Sequence, residues 1–403
     1  MTDASGRWRA LGLLSLSTVL ILSLWFSATA VAPALSTAWG LSGAEAAWLT
    51  SAVQVGFVVG ALLSAALTLS DVVAPRFLIA GSAVLGAAAT ATIAAVVQSL
   101  APAVALRLLT GVALAGVYPP AMKVVAGWFS GDRGLAIGVL VGAVTLGSAM
   151  PHLLRWVGGV GRPRAVLYGA AGLAVIGGAL ALLVDRGPHQ APESPFDPRA
   201  VRRILGDRAT VLANLGYFGH NWELYGLWTW VPVFVAASVD AGTAGSPSLP
   251  ALLAFLTIAV GGLGAGAAGY WADRLGRTTV TSASLVVSGL ACLVAGVVFG
   301  GPKLLLVPFL LVWGVAIVAD SAQFSTCVTE LAEPGYVGTA LTLQTAVGFL
   351  VTVGSIQLVP VAAARIGWQW AFVPLVIGPA IGTAAMLRLR RRPEARKLAG
   401  GRG

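Results

Sequence analysis

Charged residues are scarce in this sequence. They make up 10% of the 403 residues, and 57% of the residues are hydrophobic, whereas a soluble domain carries about 25% charged residues. The mean hydropathy of +0.88 agrees with this bias. A soluble globular fold is therefore excluded, and we expect a membrane-embedded chain. In a soluble protein the net charge of +10 would suggest nucleic-acid binding. Here the basic residues concentrate in alternate loops, which indicates membrane orientation and not nucleic acid.

The sequence has only two cysteines, and it lacks the motifs that bind metals or nucleotides. Cys292 and Cys327 lie inside apolar runs and form neither a metal-ligand spacing nor a disulfide framework. No phosphate-binding Gly-x-x-x-x-Gly-Lys-Ser/Thr loop occurs, and the polar segments are too short for a catalytic domain. We therefore expect no metal, no cofactor and no enzymatic activity. Arg7 and Arg9 precede an apolar run too long for a signal peptide, which predicts a retained first helix.

Long apolar runs dominate what is present. A membrane-spanning helix needs about 20 apolar residues, and the sequence predicts twelve such runs. They lie near 9–37, 44–69, 76–98, 101–126, 134–158, 164–184, 209–238, 250–271, 278–300, 303–327, 337–361 and 367–388. The longest polar interval, 185–207, divides the runs six and six. We expect an N-terminal bundle over 1–184, a linker over 185–207 and a C-terminal bundle over 208–403.

The distribution of Lys and Arg predicts the orientation. With the N-terminus inside, the termini and the even-numbered loops hold 18 of the 25 basic residues, and the opposite side holds five. Because cytoplasmic loops are enriched in Lys and Arg, both termini are predicted to be cytoplasmic. The twelve runs then predict a multi-pass membrane protein in contact with lipid.

A short polar break between the eighth and ninth runs carries the most specific motif. It reads Gly-Tyr-Trp-Ala-Asp-Arg-Leu-Gly-Arg, with Gly269, Asp273, Arg274 and Arg277 at its defined positions. Glycines at 262, 264, 266 and 269 reduce side-chain bulk, which predicts close approach of another helix. A weaker copy lies 202 residues earlier, where Gly60, Asp71 and Arg76 match or nearly match.

This motif resembles the loop motif of the major facilitator superfamily of secondary transporters. That resemblance implies an all-α membrane protein whose twelve transmembrane helices form two pseudo-symmetric six-helix bundles. It also implies alternating access around a midplane site between the bundles, lined by helices 1, 4, 7 and 10. It further implies that the two copies of the motif form a gate at the cytoplasmic face through contacts of their charged residues. The residues of this gate motif are Asp71, Arg76, Gly269, Asp273, Arg274 and Arg277. Around helix 7 the chain is similar to bacterial members loosely grouped with nitrate, nitrite and cyanate porters. This resemblance implies a protein of the bacterial inner membrane, which we expect to be a monomer.

Helix 7 holds an ionisable cluster at its centre. Glu223 lies about 15 residues from either end of its run, close to the bilayer midplane. A charge there costs about 3 kcal/mol or more unless it faces a cavity or a partner. At helical spacing His220 lies on the same side, and Asn221 and Tyr225 lie on an adjacent stripe. Glu223 is therefore a candidate proton-coupling group. The alternative is a structural contact of Glu223 with His220 or with a hydroxyl group.

Helices 4 and 10 supply further candidates. Arg107 opens an Arg-x-x-x-Gly pattern similar to a second motif of the family, and Tyr118 shares its face three turns later. Asp320 in helix 10 lies 202 residues after Tyr118, which predicts equivalent positions in the two halves. Arg107 is either a cavity residue or a snorkelling one, and Asp320 serves either a gate or proton coupling. Additional intramembrane candidates are Trp25, Gln54 and Gln344.

These residues predict proton-coupled transport of a small solute. With Arg107 as the positive group, the substrate is expected to be an organic or inorganic anion. The alternative within transport is efflux of a hydrophobic or cationic compound, with Glu223 and Asp320 as anionic partners. Helix 5 lacks the Gly-Pro pair common in drug antiporters of the family, and Pro151 stands where that pattern expects glycine. A receptor or scaffold without transport activity is the alternative of another class.

Overall fold

The computed structural model describes residues 4–129, 133–159, 161–189, 200–242 and 248–403, with the side chains of Ala4, Ser5, Ser70, Asp71, Arg133 and Pro334 excepted. Within these residues the chain is helical and contains no β-strand. Twelve helical segments of this part are long and apolar enough to cross a membrane, which confirms the predicted fold class. They are Gly6–Trp39, Gly43–Ala66, Pro75–Val96, Leu100–Trp128, Gly134–Gly158, Pro163–Ala181, Arg208–Ala241, Leu249–Leu275, Arg277–Val298, Lys303–Leu331, Val337–Ile366 and Trp368–Arg390.

The chain divides into two compact units. The first unit comprises Met1–Glu193 together with Ser246–Ala259, and the second comprises Ser194–Gly245 together with Val260–Gly403. The eighth span is thus divided between the two units, with its first half in the first unit and its second half in the second. The role of 185–207 as a linker stays a prediction, because 190–199 lie outside the described residues.

Helix pairs build the first unit. Its helices are α1 (Ala4–Leu22), α2 (Ser27–Trp39), α3 (Gly43–Ala66), α4 (Leu69–Val72), α5 (Pro75–Val96), α6 (Leu100–Ala115), α7 (Tyr118–Trp128), α8 (Arg133–Leu154) and α9 (Pro163–Ala181). A π-helical turn, Arg155–Gly159, follows α8. Helix α3 packs on α6, α5 packs on α9, and α1 packs on both α8 and α9. The first half of the eighth span, α12 (Leu249–Ala259), packs on α8.

The second unit is organised around its longest helix. Its helices are α10 (Ala200–Gly206), α11 (Arg208–Gly242), α13 (Gly261–Leu275), α14 (Arg277–Val298), α15 (Lys303–Ala319), α16 (Ser321–Leu331), α17 (Val337–Ile366) and α18 (Ile377–Arg390). Helix α11 runs 35 residues without a break and packs on α16, α17 and α18. A C-terminal segment, Pro393–Gly401, starts as a 3₁₀ turn and leaves helical geometry at Leu398–Gly400.

The helix is interrupted inside four of the twelve spans, and each interruption exposes main-chain polar groups within the span. Residues 23–26 separate α1 from α2, and 116–117 separate α6 from α7. Val260 separates α12 from α13, and Asp320 separates α15 from α16. The break in the fourth span ends just before Tyr118, the residue that the 202-residue offset of the sequence repeat aligns with Asp320. Because a break frees main-chain carbonyl groups inside an apolar region, each needs a donor nearby.

Candidate functional site

Arg107 on α6 meets the break in the first span. Its side chain is fully buried and donates four hydrogen bonds. Nε donates to the carbonyl of Leu49 at 2.9 Å, and Nη1 donates to the carbonyl of Leu24 at 2.9 Å and to Oγ of Ser27 at 3.2 Å. Nη2 donates to the carbonyl of Trp25. The guanidinium thus supplies the donors that the break needs, and four of its five N–H groups are used.

Glycines bring α6 close enough to α3 for these contacts. A Cβ added at Gly60 would lie 2.7 Å from the carbonyl oxygen of Val112. A Cβ at Gly56 would collide with the carbonyl of Leu108, and one at Gly111 would collide with that of Val53. The glycine of the Arg-x-x-x-Gly pattern is therefore a packing residue one turn beyond the arginine, and it sets the separation of the two helices.

Of the other candidates in the first unit, Trp25 contacts this arginine directly. The Trp25 ring packs against the Phe57 ring at 5.0 Å between centroids, while the Trp25 main chain accepts from Arg107. Gln54 is fully buried, and neither of its amide atoms has a hydrogen-bond partner among the described residues. Tyr118 is half-buried and begins α7 directly after the break. The structure thus groups Trp25 with Arg107, whereas Gln54 makes no side-chain hydrogen bond to either of them.

Glu223 lies in the second unit, enclosed by α14 and α15. Its side chain is 1% exposed. Oε2 accepts from Oγ of Ser288 at 2.8 Å. Oε1 accepts from the Cys292 thiol at 3.2 Å and from Nε1 of Trp313 at 3.1 Å. All three donors are neutral, and no cation contacts this carboxyl group among the described residues. The contact partners are a hydroxyl, a thiol and an indole, and His220 is not one of them.

We call Glu223, Ser288, Cys292 and Trp313 the carboxyl cluster. Its hydrogen-bonding groups are compatible with a carboxylate and with a carboxylic acid at Glu223. A carboxylate accepts from all three donors. Oγ of Ser288 also lies 3.4 Å from the carbonyl of Leu285, a second acceptor for its hydroxyl proton. When the hydroxyl turns to that carbonyl, its oxygen is free to accept a hydrogen bond from the O–H of a protonated Glu223. The site can therefore hold Glu223 in either protonation state through a single hydroxyl rotation.

His220 and Asp320 form a second ionisable pair in the same unit. Nδ1 of His220 lies 2.8 Å from Oδ1 of Asp320, and both side chains are buried. Asp320 is the residue at which the tenth span breaks. The imidazole also packs against Phe324, with 5.6 Å between ring centroids, and its Nε2 has no hydrogen-bond partner among the described residues. The pair thus joins α11 to the broken tenth span.

The remaining candidates on α11 and α17 have local partners. Nδ2 of Asn221 donates to the carbonyl of Tyr217 at 2.9 Å, one turn back on the same helix. The Tyr225 ring packs on Phe349 with 5.2 Å between centroids. Nε2 of Gln344 donates to Oδ1 of Asn214 at 3.0 Å. Asn221 therefore makes a contact within α11, whereas Tyr225 and Gln344 connect α11 to α17. None of these contacts involves the carboxyl cluster.

The loop motif after the eighth span is held by a buried arginine. Nε and Nη2 of Arg277 donate to the two carboxylate oxygens of Glu330 at 2.8 and 2.7 Å, and Nη1 donates to Gln323 at 2.8 Å. Asp273 is 3.3 Å from Nη1 but its side chain is 62% exposed. Bidentate pairing with Glu330 is the stronger contact, because its geometry matches the guanidinium fork. Arg274 packs over the Tyr270 ring and lies away from this pair.

The C-terminal segment covers this motif. Gly276 connects α13 to α14 at φ 94°, a conformation that favours glycine. Oγ1 of Thr278 donates to the carbonyl of Gly403 at 2.6 Å, and the main-chain N–H of Ala399 donates to Glu330 at 3.1 Å. Arg402 donates to the carbonyl of Asp273. The carboxylate that anchors Arg277 therefore also anchors the C-terminal segment.

Close helix approach occurs at only part of the predicted glycine run. A Cβ at Gly264 would collide with the carbonyl of Val315 in α15, and one at Gly261 would lie 2.8 Å from the carbonyl of Gly314. Gly266 faces open space, and Gly269 has only the Gln323 side chain, at 4.0 Å. In the weaker copy, Arg76 pairs with Asp185, and its guanidinium lies over the Phe77 ring. The side chain of Asp71 is outside the described residues.

Sequence reasoning missed several partners of these groups. Ser288 and Cys292 stand one turn apart on α14, and that spacing alone is a detectable polar stripe in an apolar helix. Trp313 could equally have faced lipid, so nothing in the sequence assigns it to Glu223. Glu330 and Gln323 share a face of α16 seven residues apart, but only the fold connects them to Arg277. No group of three or more His, Cys, Asp and Glu side chains suited to a metal occurs in the described part.

Known proteins resemble this chain in sequence and in fold. Residues 13–355 match the Major Facilitator Superfamily, while no curated protein sequence gives a match. A bacterial homologue of the human lysosomal transporter Spinster, inward-facing and occupied, has a similar structure, with a TM-score of 0.74, 16% identity and coverage of 96% of this chain and 98% of that chain. The nucleoside transporter NupG, solved as a point variant, has a TM-score of 0.73, 16% identity and coverage of 94% and 99%.

The family match extends over most of the chain, and the similar structures cover nearly all of it, so the fold and the sequence agree. Transport, and not enzymatic catalysis, is the activity common to this family. Together with the twelve apolar spans and the loop motif, these similarities establish that the chain is an integral multi-pass membrane protein, a secondary transporter that belongs to the Major Facilitator Superfamily.

Proposed function

We propose that this transporter is coupled to protons and that Glu223 is the group that takes up and releases the proton. The observation that supports this role is the composition of the carboxyl cluster. Glu223 is buried and accepts from three neutral donors, and no cation in the described part of the chain contacts it to balance a carboxylate. A buried unpaired charge is strongly unfavourable in a membrane protein, and binding of a proton removes it. The hydroxyl of Ser288 gives the group suitable hydrogen bonds in both states.

Burial of Glu223 also determines how the coupling would work. In the conformation described here the carboxyl group is enclosed by α11, α14 and α15, so water reaches it only when these helices separate. Alternating access would supply such a separation. A transporter that opens the cluster only in one state of its cycle links the movement of the proton to the movement of the solute. The competing interpretation is a structural one, in which the same hydrogen bonds brace three helices.

The pair of His220 and Asp320 extends this proposal. Asp320 lies at the break of α15 and α16, so its position changes when the two half-helices move relative to each other. His220 holds it at 2.8 Å, from the same face of α11 that carries Glu223 one turn later. We infer that the pair senses or transmits the state of the tenth span, and that Glu223 carries the proton.

The charge of the solute is a separate part of the proposal. Arg107 is the cation proposed to attract an anionic solute, and one of its five N–H groups is left for such a contact. A hydrophobic or cationic solute is the second candidate, favoured by the two buried carboxyl groups, Glu223 and Asp320, in the second unit. The names of the similar structures, which include a nucleoside transporter, do not decide between them.

The proposed orientation follows the positive-inside rule. The ends of the chain and the even-numbered loops carry the excess of Lys and Arg, so we propose that both termini are cytoplasmic and that the protein resides in a bacterial inner membrane. Gating would then occur at the cytoplasmic face through Arg277 and Glu330.

The test compares Glu223→Gln with the wild type in proteoliposomes. A thermal-shift screen of metabolites and cationic dyes first identifies a solute, and its transport is then measured across a range of pH. We expect Glu223→Gln to lose proton-driven accumulation at least 10-fold and to show no pH dependence, while its thermal stability changes little. Asp320→Asn is expected to slow transport but to retain pH dependence.

The structural interpretation predicts the opposite pattern. If Glu223→Gln unfolds readily and the pH dependence of its residual transport is that of the wild type, the proposed coupling role is wrong. The solute question is settled in the same assay. Export of cationic dyes by wild type, with no binding of any tested anion, would reject the anionic substrate.

A further inference from the structure

A groove lined by arginine is found at the membrane-water boundary of the second unit. It encloses about 470 Å³ between the start of α11 and the end of α18. Four arginines line it: Arg208, Arg388, Arg391 and Arg392. The seventh span begins and the twelfth span ends on the same face of the membrane, since the six spans from the seventh to the twelfth are an even number of crossings. The groove therefore lies at the depth of lipid headgroups.

Three of the four arginines have no acidic partner in the described part of the chain. Arg392 pairs with Glu394 at 3.1 Å. Asp207, the carboxylate nearest in sequence to Arg208, is committed elsewhere, because it accepts from the main-chain N–H groups of Ala209 and Thr210 at the start of α11. The groove thus concentrates positive charge that the described residues leave largely unneutralised, which suits an anionic group of a ligand.

Apolar side chains continue from the arginines toward the membrane interior. Leu205, Val211 and Leu212 complete the lining of the groove. On α18, Ile377 and Ile381 are 54% and 50% exposed and lie on the face that ends at Arg388. This face follows helical spacing over three turns. On α11, Leu215 is exposed two turns after Arg208 and on the same side.

From this arrangement we infer that the groove binds an anionic phospholipid, with the phosphate on Arg208, Arg388 and Arg391 and the acyl chains along the exposed apolar faces of α11 and α18. A soluble phosphate would use the arginines but not the apolar faces below them. Basic pockets between transmembrane helices at the membrane surface are suited to anionic headgroups. The site is separate from Glu223 and Arg107, so it does not depend on the proposed coupling.

Native mass spectrometry of the full-length protein in detergent tests the inference, with diphosphatidylglycerol as the anionic probe and phosphatidylcholine of the same acyl chains as the neutral one. We expect diphosphatidylglycerol to bind at least 10-fold more tightly. The double variant Arg388→Gln/Arg391→Gln should weaken it about 10- to 30-fold, since each arginine near a membrane surface contributes about 1 kcal/mol to such binding. Arg208→Gln, on the other helix, should weaken it as well.

Arg390→Gln is the matched control. Arg390 is exposed at the same end of α18 but does not line the groove, so its loss should leave binding unchanged. Equal weakening by Arg390→Gln would show a diffuse electrostatic effect and overturn the site. Displacement of the lipid by millimolar glycerol 3-phosphate would also overturn it, since the headgroup alone would then account for binding. All the substituted arginines are exposed, so we expect every variant to fold. Elution of each variant as a single species in size-exclusion chromatography checks that it is folded like the wild type.

Discussion

The two units hold their buried charges in different ways. In the first unit, Arg107 is surrounded by main-chain carbonyls and one hydroxyl, and three of its four acceptors are backbone atoms. In the second unit, Glu223 is surrounded by three side chains. An arginine stays protonated in proteins, and main-chain carbonyls cannot change their charge, so we expect the first arrangement to stay fixed. A carboxyl group held by side chains can change both its proton and its partners.

The second buried arginine extends this comparison. Arg277 in the second unit pairs with Glu330 and Gln323, whereas Arg107 in the first unit meets no carboxylate among the described residues. An ion pair between two helices can separate when the helices move, and a new partner can replace the old one. We therefore expect the first unit to tolerate few changes at its buried charge, and the second unit to respond to changes mainly through function.

The largest effect is expected for Arg107→Met. Removal of the guanidinium takes one hydrogen-bond donor from each of the buried carbonyl groups of Leu24, Trp25 and Leu49, which should lower the free energy of unfolding by about 3 kcal/mol. Denaturant or thermal unfolding in detergent measures the loss. Arg155→Met is the control, because Arg155 makes one such bond, to the carbonyl of Ala30 at 3.0 Å. Equal stability of the two variants would show that the additional contacts of Arg107 do not stabilise the first unit.

A smaller effect is expected for Glu330→Gln. It replaces the bidentate partner of Arg277 and an acceptor of Ala399 with a neutral amide, so the free energy of unfolding should fall by about 2 kcal/mol. Proteolysis near the C-terminal segment should become faster, since that segment loses an anchor. Glu333→Gln serves as the control, because Glu333 pairs with Arg203 at 3.6 Å with both side chains mostly exposed. Unchanged proteolysis would show that Glu330 does not hold the segment.

Ser288→Ala tests whether the side-chain donors around Glu223 matter for transport, as the contrast with Arg107 predicts. It removes one of three donors to Glu223 and should lower the free energy of unfolding by about 1 kcal/mol. Its transport rate should fall, because the hydroxyl that serves both protonation states is gone. Ser284→Ala, one turn earlier on α14, keeps all three donors and should transport normally. If both variants transport alike, Ser288 has no part in proton exchange.

The smallest effect on stability is expected for Asp273→Asn. The Asp273 side chain is mostly exposed, and exposed ion pairs contribute about 0–1 kcal/mol. Because the residue lies in the gate motif and away from the buried clusters, turnover should decrease far more than solute affinity. Transport rates and binding titrations on the same preparation separate the two. Matching losses of rate and affinity would contradict the assignment of Asp273 to a gate.

Hydropathy was sufficient to predict the membrane spans, because length and apolar content alone define a spanning helix. It could not predict the breaks at 23–26, 116–117, Val260 and Asp320, since these segments are as apolar as their neighbours or differ by one residue. The break at Asp320 depends on partners such as His220, which belong to another helix. Helix breaks are a tertiary property in a membrane, where the freed carbonyls must find a donor.

The candidate site was predictable in its residues but not in its contacts. Spacing along α11 placed Glu223 and His220 on one side, yet it could not say that their partners are different residues of the ninth and tenth spans. Arg107 shows the same limit. A buried arginine in a span suggests an anion or a carboxylate, and only the fold shows carbonyl groups around it. Whether these residues act in transport stays a prediction, to be decided by the variants described above.

The thiol of Cys292 offers a direct readout of the state of Glu223. An S–H group that donates to a carboxylate is weakened relative to one beside a neutral acid, and its stretching vibration falls in an infrared window free of other protein bands. Only two cysteines occur in the chain, and Cys327, buried in α16, would serve as an internal reference. Difference spectra of the unlabelled protein would then follow protonation at a single carboxyl group during turnover.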